Sequence, residues 1–405
     1  MSARLNLLSP EVRANPYPFF AELRRTAPVS QVEPAGMWAV SRYADALTVL
    51  KNPQLFFSAG MAALMTPPWL GRGNPSVNSI LFMDPPQHGR LRALVSRAFN
   101  ASALNRLEPR IRDFATSLVK ALPADGGVDF VSAFALPLPA SVIGELLGLD
   151  PSLHSRFKRW SNDLVSVSAV PPDDVAMQTR VRQSLDEMEH HMKEVLEDRR
   201  RQPREDMVSD LLRAQVEGER LTEEELVGFL VLLLSGGLET TMHLLAQAAR
   251  VFIEEPGVLA RLRAEPSRIP AFIEEVLRYE PPIHLTIRQT TQEVELGGAR
   301  LPKGALVAVL LGSVNHDEAQ FPQGDRFDMD PPGTQNLSFG HGIHFCLGAQ
   351  LARLEARLGL EALLARFGSV ERGDAPEEWS PSMMVRGLSS LPVRLREGAG
   401  GQKTP

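Results

Sequence analysis

The sequence predicts a mainly α-helical fold with small β-sheets, and two observations predict it. Apolar residues recur three or four positions apart through most of the middle of the chain. Alternating patterns typical of strands are confined to short regions, and they do not alternate with helices as in a parallel α/β sheet. The helical segments are 102–122, 141–149, 177–200, 207–215, 222–253 and 268–279, and the strand regions are 29–40, 286–311 and 382–395.

Composition limits the class of protein and its partners. The chain has 405 residues, of which 43% are hydrophobic and 23% charged, as is typical of a folded globular protein. Its net charge of −6 gives no overall positive field, so neither nucleic acid nor an anionic membrane is an expected partner. The sequence contains one cysteine, Cys346, which excludes a disulfide framework and any cysteine-cluster metal site.

The two ends of the chain give expectations about location and order. The first residues lack an apolar signal core, and the longest apolar run, 226–238, is shorter than the roughly 20 residues that span a membrane. We therefore expect a cytoplasmic protein without a membrane partner. No linker divides the sequence, so we expect a single domain over 1–396 and a disordered Gly-rich tail over 397–405.

The most informative helix begins at Thr222. Thr222 and Glu225 have the spacing of a capping box, and Pro256 ends a segment of about 31 residues, or roughly 46 Å. It is apolar on nearly every face, as expected of a central buried helix. Its middle nevertheless reads Gly236-Gly237-Leu238-Glu239-Thr240. The glycine pair could be a packing notch for a crossing helix, but the acid and hydroxyl that follow favour a functional site.

The cysteine lies in the pattern F-G-x-G-x-H-x-C-x-G, which runs from Phe339 to Gly348. Gly340 and Gly342 would let a turn lie flat against a planar ligand, and Gly348 would make room for the helix predicted at 347–367. The amino terminus of that helix would stabilise a Cys346 thiolate. Taken alone, Cys346 could be an unreactive buried thiol; in this pattern, a thiolate beneath a flat macrocycle is an axial iron ligand.

With these motifs the chain resembles the cytochrome P-450 superfamily of haem-thiolate monooxygenases, in its soluble bacterial form, along nearly its whole length. The resemblance implies a triangular helical prism that encloses haem b, with Cys346 as the metal ligand. It implies that several side chains and glycines bind the cofactor: His88, Arg92, Arg288, His344, Phe339, Gly340, Gly348 and Gly236. Glu275 and Arg278 match the family's ExxR motif, which implies a buried ion network with Arg326.

The resemblance also implies the reaction. Glu239 and Thr240 match the acid–alcohol pair that delivers protons during oxygen activation, so both are expected to be catalytic and the enzyme to depend on O2. The expected reaction inserts one oxygen atom into a hydrophobic small molecule by hydroxylation or epoxidation. A haem-thiolate peroxygenase or isomerase is the enzymatic alternative, and a haem-based ligand sensor is the non-catalytic one.

The resemblance also implies an electron donor and a substrate pocket. No dinucleotide-binding G-x-G-x-x-G follows a predicted strand, so the resemblance implies a separate ferredoxin with an NAD(P)H-dependent reductase, docking near Arg97, Arg353 and Arg357. The implied pocket is apolar and rich in methionine, which suits a terpenoid, steroid, fatty acid or polyketide of bacterial secondary metabolism. The expected pocket residues are Trp69, Leu70, Leu232, Ser235, Ile283, His284, Met383 and Met384, with His284 either orienting a substrate oxygen or binding water.

Overall fold

The computed structural model of the chain describes residues 4–398, apart from residues 98, 100, 217, 331–334, 381 and 383 and the side chains of 101 and 102. The residues of the chain group into two compact units. The first unit contains the residues up to Ala62, Glu274–Cys346 and Ser380–Arg386. The second contains Ala63–Ile273, Leu347–Trp379 and the residues from Gly387 onward.

The described part of the chain is rich in helices. They are α1 (Pro10–Ala14), α2 (Tyr17–Thr26), α3 (Tyr43–Lys51), α4 (Gln87–Ser96), α5 (Ala101–Ala121), α6 (Pro137–Leu147), α7 (His154–Ser166), α8 (Val175–Arg201), α9 (Met207–Arg213), α10 (Glu223–Glu254), α11 (Pro256–Ala264), α12 (Ile269–Tyr279), α13 (Leu311–Val314) and α14 (Ala349–Arg366).

The strands are short. They are β1 (Val29–Val32), β2 (Met37–Val40), β3 (Phe56–Phe57), β4 (Asp125–Asp129), β5 (Thr286–Thr290), β6 (Val294–Leu296), β7 (Ala299–Leu301), β8 (Leu306–Val309), β9 (Phe367–Arg372), β10 (Glu378–Trp379), β11 (Leu388–Ser390) and β12 (Pro392–Glu397).

The structure confirms the predicted helices, with differences at their ends. Helix α6 begins at Pro137, four residues before the prediction, because proline is well accommodated in the first helical turn. Helix α14 begins at Ala349 because Gly348 is its cap. The predicted segments do not include α1, α2, α3, α4, α7, α11 or α13.

The first unit contains a five-stranded sheet with the order β1-β2-β8-β5-β3. Its strands pair antiparallel except β2 and β8, which are parallel. Apolar side chains from the sheet and from α3 form a shared core, including Val40, Leu50, Phe56 and Val307. This sheet carries β5, on which Arg288 lies.

The second unit is organised around α10. The predicted capping box is present: Glu225 N–H donates to Thr222 Oγ1 and Thr222 N–H donates to Glu225 Oε2. The helix packs against α6, α7 and α14, and its exposed N-terminal turn gives way to an almost entirely buried middle. By length and hydropathy it could span a membrane, but 78% of its apolar window is buried inside the protein, as in a core helix.

The carboxyl-terminal strands complete the second unit. β12 pairs with β4 and β9 in a three-stranded sheet, and β10 pairs with β11 in a ribbon. The predicted domain boundary at residue 396 falls inside β12, because Glu397 still pairs with Phe367 and bonds Arg366 at 2.9 Å. Residues 399–405 of the expected tail lie outside the described residues.

Candidate active site

Cys346 follows a tight glycine-containing turn in the first unit. Gly340 and Gly342 have φ angles of 72° and 71°, a region that glycine adopts without strain. Gly342 lies so close to the backbone that a Cβ there would be 2.5 Å from the Leu50 carbonyl oxygen. Cys346 N–H donates to the Phe339 carbonyl at 2.9 Å, which closes the turn. The cysteine side chain is left exposed, as a thiol that must bind an external group requires.

The two glycines in α10 have different surroundings. One fits the packing notch and the other the open site that the sequence left as alternatives. A Cβ at Gly237 would lie 2.4 Å from Ile143 Cδ1, so this glycine is a packing notch for α6. A Cβ at Gly236 would meet nothing within 4 Å, and Gly236 is exposed although Ser235 and Leu238 beside it are buried. Thr240 Oγ1 donates to the Gly236 carbonyl at 2.5 Å, so its hydroxyl lies beside this open space.

Glu239 points into protein rather than solvent. It is 6% exposed, and burial raises the pKa of its carboxyl to about 7, against the opposing effects of a hydrogen bond with Ser161 and the charge of Lys158. Both of these α7 residues were missed by the sequence analysis, because only the packing of α7 on α10 brings them to the acid. A carboxyl that titrates near neutrality can both hold and release a proton.

The predicted propionate ligands lie on different elements, in both units. His88 and Arg92 lie one turn apart on α4 in the second unit, where His88 is buried and its pKa is lowered by burial and by Arg92. Arg288 is buried on β5 in the first unit and donates to Thr286 Oγ1 at 3.0 Å and to the Ile287 carbonyl at 2.7 Å. His344 Nε2 lies 3.0 Å from Ser58 Oγ. Two of these groups, His88 and Arg288, are buried, and Arg92 and His344 are half-buried; guanidinium and imidazole N–H groups are the kind of donors that two propionates need.

The ExxR pair is buried in the first unit. Arg278 Nε and Nη2 donate to both oxygens of Glu275, at 2.8 and 2.7 Å. The remaining Arg278 donors bond the carbonyls of Asn315, Gly324 and Arg326 at 3.0, 2.7 and 2.7 Å. Glu275 also accepts from Asp328 N–H at 2.7 Å.

The expected role of Arg326 in this ion network is wrong in one respect. Its backbone carbonyl binds Arg278, but its own side chain is exposed and donates to Gln323 Oε1 at 3.1 Å. Once Glu275 is paired bidentately with Arg278, a second buried guanidinium would lack a counterion, so the carbonyl is the better partner.

Comparisons with known proteins agree with this geometry. A sequence profile described as Cytochrome P450 matches residues 5–392. The chain belongs to the cytochrome P450 family. It is 39% identical to Cytochrome P450 109 of Bacillus spizizenii, over 96% of this chain and 94% of the relative, and 38% identical to Cytochrome P450 monooxygenase PikC of Streptomyces venezuelae, over 99% and 96%.

Solved structures show the same fold. CYP109Q5 of Chondromyces apiculatus superposes with a TM-score of 0.90 at 42% identity, covering 98% of this chain and 100% of the other. The prediction of a mainly α P450 fold with small sheets is therefore confirmed. As a P450 monooxygenase the chain is an oxidoreductase, and its family implies haem iron held by a cysteine thiolate. In the first unit the exposed thiol of Cys346 and the buried guanidinium of Arg288 fit that cofactor, and in the second unit the open space beside Gly236 does so.

The candidate pocket residues of this P450 are distributed over both units. In the second unit, Leu70 is buried, Trp69 and Leu232 are half-buried, and Ser235 is buried with its carbonyl 3.5 Å from Ser161 Oγ. In the first unit, the half-buried Ile283 bridges Val385, and Met384 accepts the His284 N–H through its carbonyl at 2.8 Å. Met383 lies outside the described residues.

His284 was expected to present a polar group to substrate or water, and the structure corrects this. Its Nε2 lies 3.3 Å from Tyr17 Oη, and its ring packs against the rings of Tyr17 and Phe20 on α2. On another side a Cβ at Gly312 would come within 2.7 Å of the imidazole. The imidazole is thus enclosed in the core of the first unit, where burial lowers its pKa well below the usual range.

The expected docking arginines differ in exposure, and Arg357 has two carboxylate partners. Arg357 is bonded to Glu361 at 2.8 Å and to Glu108 at 3.2 Å, and Arg112 contacts the same two carboxylates. The charge of Arg357 is therefore largely neutralised. Arg353 is half-buried and Arg97 is exposed.

Proposed function

We propose that this P450 uses O2 to insert one oxygen atom into a hydrophobic small molecule, by hydroxylation or epoxidation. The observation that carries the proposal is the middle of α10, where a buried carboxyl with a pKa of about 7 immediately precedes a hydroxyl beside an open space. An enzyme that reduces oxygen needs protons delivered there, whereas a ligand sensor does not. Dioxygen use rather than peroxide use follows from the same pair.

The proposed cofactor is haem b, which when bound would supply the oxygen chemistry through its iron. Cys346 would be the iron ligand. His88, Arg92, Arg288 and His344 would bind the propionates, and the flat contacts would come from Phe339, Gly340, Gly348 and Gly236. The ExxR pair would stabilise the segment from Asn315 to Asp328 through its carbonyl and amide bonds.

The proton-handling roles fall to Glu239 and Thr240. Because the Thr240 hydroxyl donates to the Gly236 carbonyl, its oxygen retains lone pairs that can accept a hydrogen bond from a water molecule. Glu239 is neutral for part of the time near pH 7, so it can donate a proton and regain one. Together they would supply an acid and an acceptor at adjacent positions.

The proposed substrate class follows from the lining and from relatives. Trp69, Leu70, Leu232, Ile283 and Met384 would offer apolar, adaptable side chains to the substrate. CYP109E1 of Bacillus megaterium, a neighbour of 33% identity, was solved with testosterone, and another relative is named Erythromycin C-12 hydroxylase. We infer a hydrophobic natural product of polycyclic or macrocyclic size.

Electrons would come from a ferredoxin and its NAD(P)H-dependent reductase in the cytoplasm. Arg97, Arg353 and Arg357 are the proposed cationic docking groups. Reversing the charge of Arg353 should slow reduction by an acidic ferredoxin, and the defect should shrink as salt is raised.

The deciding experiment combines spectroscopy with turnover. The reduced carbon-monoxide complex should show the absorption of a thiolate-ligated haem, and Cys346→Ser should abolish it. Turnover with a surrogate ferredoxin over a panel of steroids, terpenoids and macrolides should give oxygenated products. Thr240→Ala should then consume electrons with little product. Products formed only with added peroxide would favour the peroxygenase, and haem binding without any product would favour the sensor.

A further inference from the structure

A stripe of polar side chains runs along one face of the apolar helix α10. Glu239, His243 and Gln247 follow one another at intervals of four residues, so they lie on the same face and span about 12 Å. Their exposed fractions are 6%, 2% and 1%. A buried helix has no packing reason to carry polar groups one turn apart, since each must be desolvated.

The same face ends in a charged cluster that is less deeply buried. Arg250, one turn beyond Gln247, bonds Glu254 at 2.7 Å and Glu377 at 3.5 Å, and its side chain is 19% exposed. Its guanidinium lies 5.2 Å above the ring of Trp379. The stripe therefore leads from the buried acid to a cluster in contact with solvent.

One ribbon covers this face. Trp379 on β10, which stacks on Arg250, pairs with Leu388 on β11. Burial lowers the pKa of the His243 ring to about 4, and the nearby backbone of Leu388 partly opposes that shift. Gly387 lies directly against that ring, where a Cβ would be 2.1 Å from Cγ and Nδ1. The ribbon thus encloses the stripe from His243 to Arg250.

Two atoms of the stripe lack a partner among the described residues. They are His243 Nδ1 and Gln247 Nε2. Because burial lowers the His243 pKa to about 4, the ring is neutral near pH 7, and with its proton on Nε2 it presents Nδ1 as an acceptor. Gln247 Nε2 is a donor. A water molecule that accepts from Gln247 and donates to His243 would satisfy both, and such a buried water needs two to four polar partners.

We propose that Glu239, His243 and Gln247 line an internal water path through which Glu239 regains its proton from the Arg250–Glu377 end of α10. This inference rests on the proposed function, in which one O2, two electrons and two protons convert a substrate R–H to R–OH and water. Glu239 releases its carboxyl proton to the reaction site. The adjacent water then protonates the carboxylate and is itself reprotonated by the next water, so one solvent proton is consumed and no protein group is oxidised.

His243 and Gln247 are positioning residues in this scheme, because they hold water and do not touch substrate. The test uses the full-length holoenzyme and the variant Gln247→Met, which removes the amide at nearly constant volume. Leu245→Met is the matched control: it places the same residue in the same buried helix, two positions away. Gln247→Glu restores a polar group and should rescue the defect.

The first readout requires no turnover. The carboxyl stretch of protonated Glu239, identified by its loss in Glu239→Gln, is followed by infrared spectroscopy after transfer to D2O. Gln247→Met should slow its exchange at least tenfold, and Leu245→Met should not. Exchange in Gln247→Met within twofold of the control would overturn the proposal.

The second readout is the ratio of product to electrons consumed. Gln247→Met should lower it several-fold while leaving substrate binding unchanged, and Gln247→Glu should restore most of it. A loss that Gln247→Glu does not restore indicates a packing effect and counts against the path. Because exchange is measured on the resting protein, a wild type that forms no thiolate-haem spectrum overturns the proposed function without affecting the exchange result.

Discussion

Alanine substitutions at Gly236 and Gly237 should change stability differently, although the two residues are neighbours in the same helix. Replacing glycine by alanine in a helix interior stabilises by about 0.8–1 kcal/mol, because alanine loses less backbone entropy. This term is common to both positions. At Gly236 nothing lies within 4 Å of the added Cβ, so the full stabilisation should appear.

At Gly237 the same methyl group overlaps a buried side chain. Its distance from Ile143 Cδ1 would be 2.4 Å, and Ile143 is fully buried, so the isoleucine must leave its rotamer or α6 must shift. Overpacking of this kind costs about 1–3 kcal/mol. Because the entropy term cancels, Gly237→Ala should be less stable than Gly236→Ala by about 1–3 kcal/mol.

The assay is urea unfolding of the wild type, both alanine variants, the single variant Ile143→Val and the double variant Gly237→Ala/Ile143→Val. Ile143→Val removes Cδ1, so a double-mutant cycle should recover about 1 kcal/mol or more of the Gly237→Ala cost. Equal stability of the two alanine variants would refute the reasoning. Gly236→Ala should also alter ligand binding despite its stability, since its methyl group enters the open space beside Thr240.

Further predictions concern the buried charges and the loop near Trp69. The pKa of Glu239 is about 7 rather than 4.5, because burial opposes ionisation of its carboxyl in the folded protein. The unfolding free energy of the wild type, relative to that of Glu239→Gln, should therefore fall by about 3 kcal/mol as the pH rises from about 4.5 to 7, and stay constant at higher pH. A difference that does not change with pH would contradict the burial argument. Arg278→Ala should cost about 3–5 kcal/mol in chemical unfolding because it leaves Glu275 buried and unpaired, whereas Arg326→Ala should change stability by less than about 0.5 kcal/mol. The loop near Trp69 is held to α8 by Arg72, which bonds Asp186 and Glu189, and by Arg182, which bonds the Trp69 carbonyl at 3.0 Å. Arg72→Ala should therefore speed amide hydrogen exchange over residues 68–73. The control Arg110→Ala breaks only an exposed pair with Glu145 and should not change exchange there.

Much of the site could be predicted because its signals are local. The turn around Cys346 needs glycine where φ is positive, and the start of α10 needs the Thr222–Glu225 spacing, so both leave a mark in consecutive residues. The family could be predicted because these local motifs occur along the chain in the order that is typical of it. The polar stripe of α10 also leaves a local mark, since His243 and Gln247 interrupt an apolar helix at intervals of one turn.

What the sequence determined by itself was therefore the helical class, the family and the residues that are expected to carry its chemistry. The tertiary structure decided what several of them do: which of two adjacent glycines faces Ile143, that Arg326 offers a carbonyl rather than a cation, and that His284 is enclosed by Tyr17 and Phe20. It also decided the pKa of Glu239, through burial and the approach of α7. The physical reason is that burial and hydrogen-bond partners come from segments far apart in the chain, and no local pattern records which of them will meet.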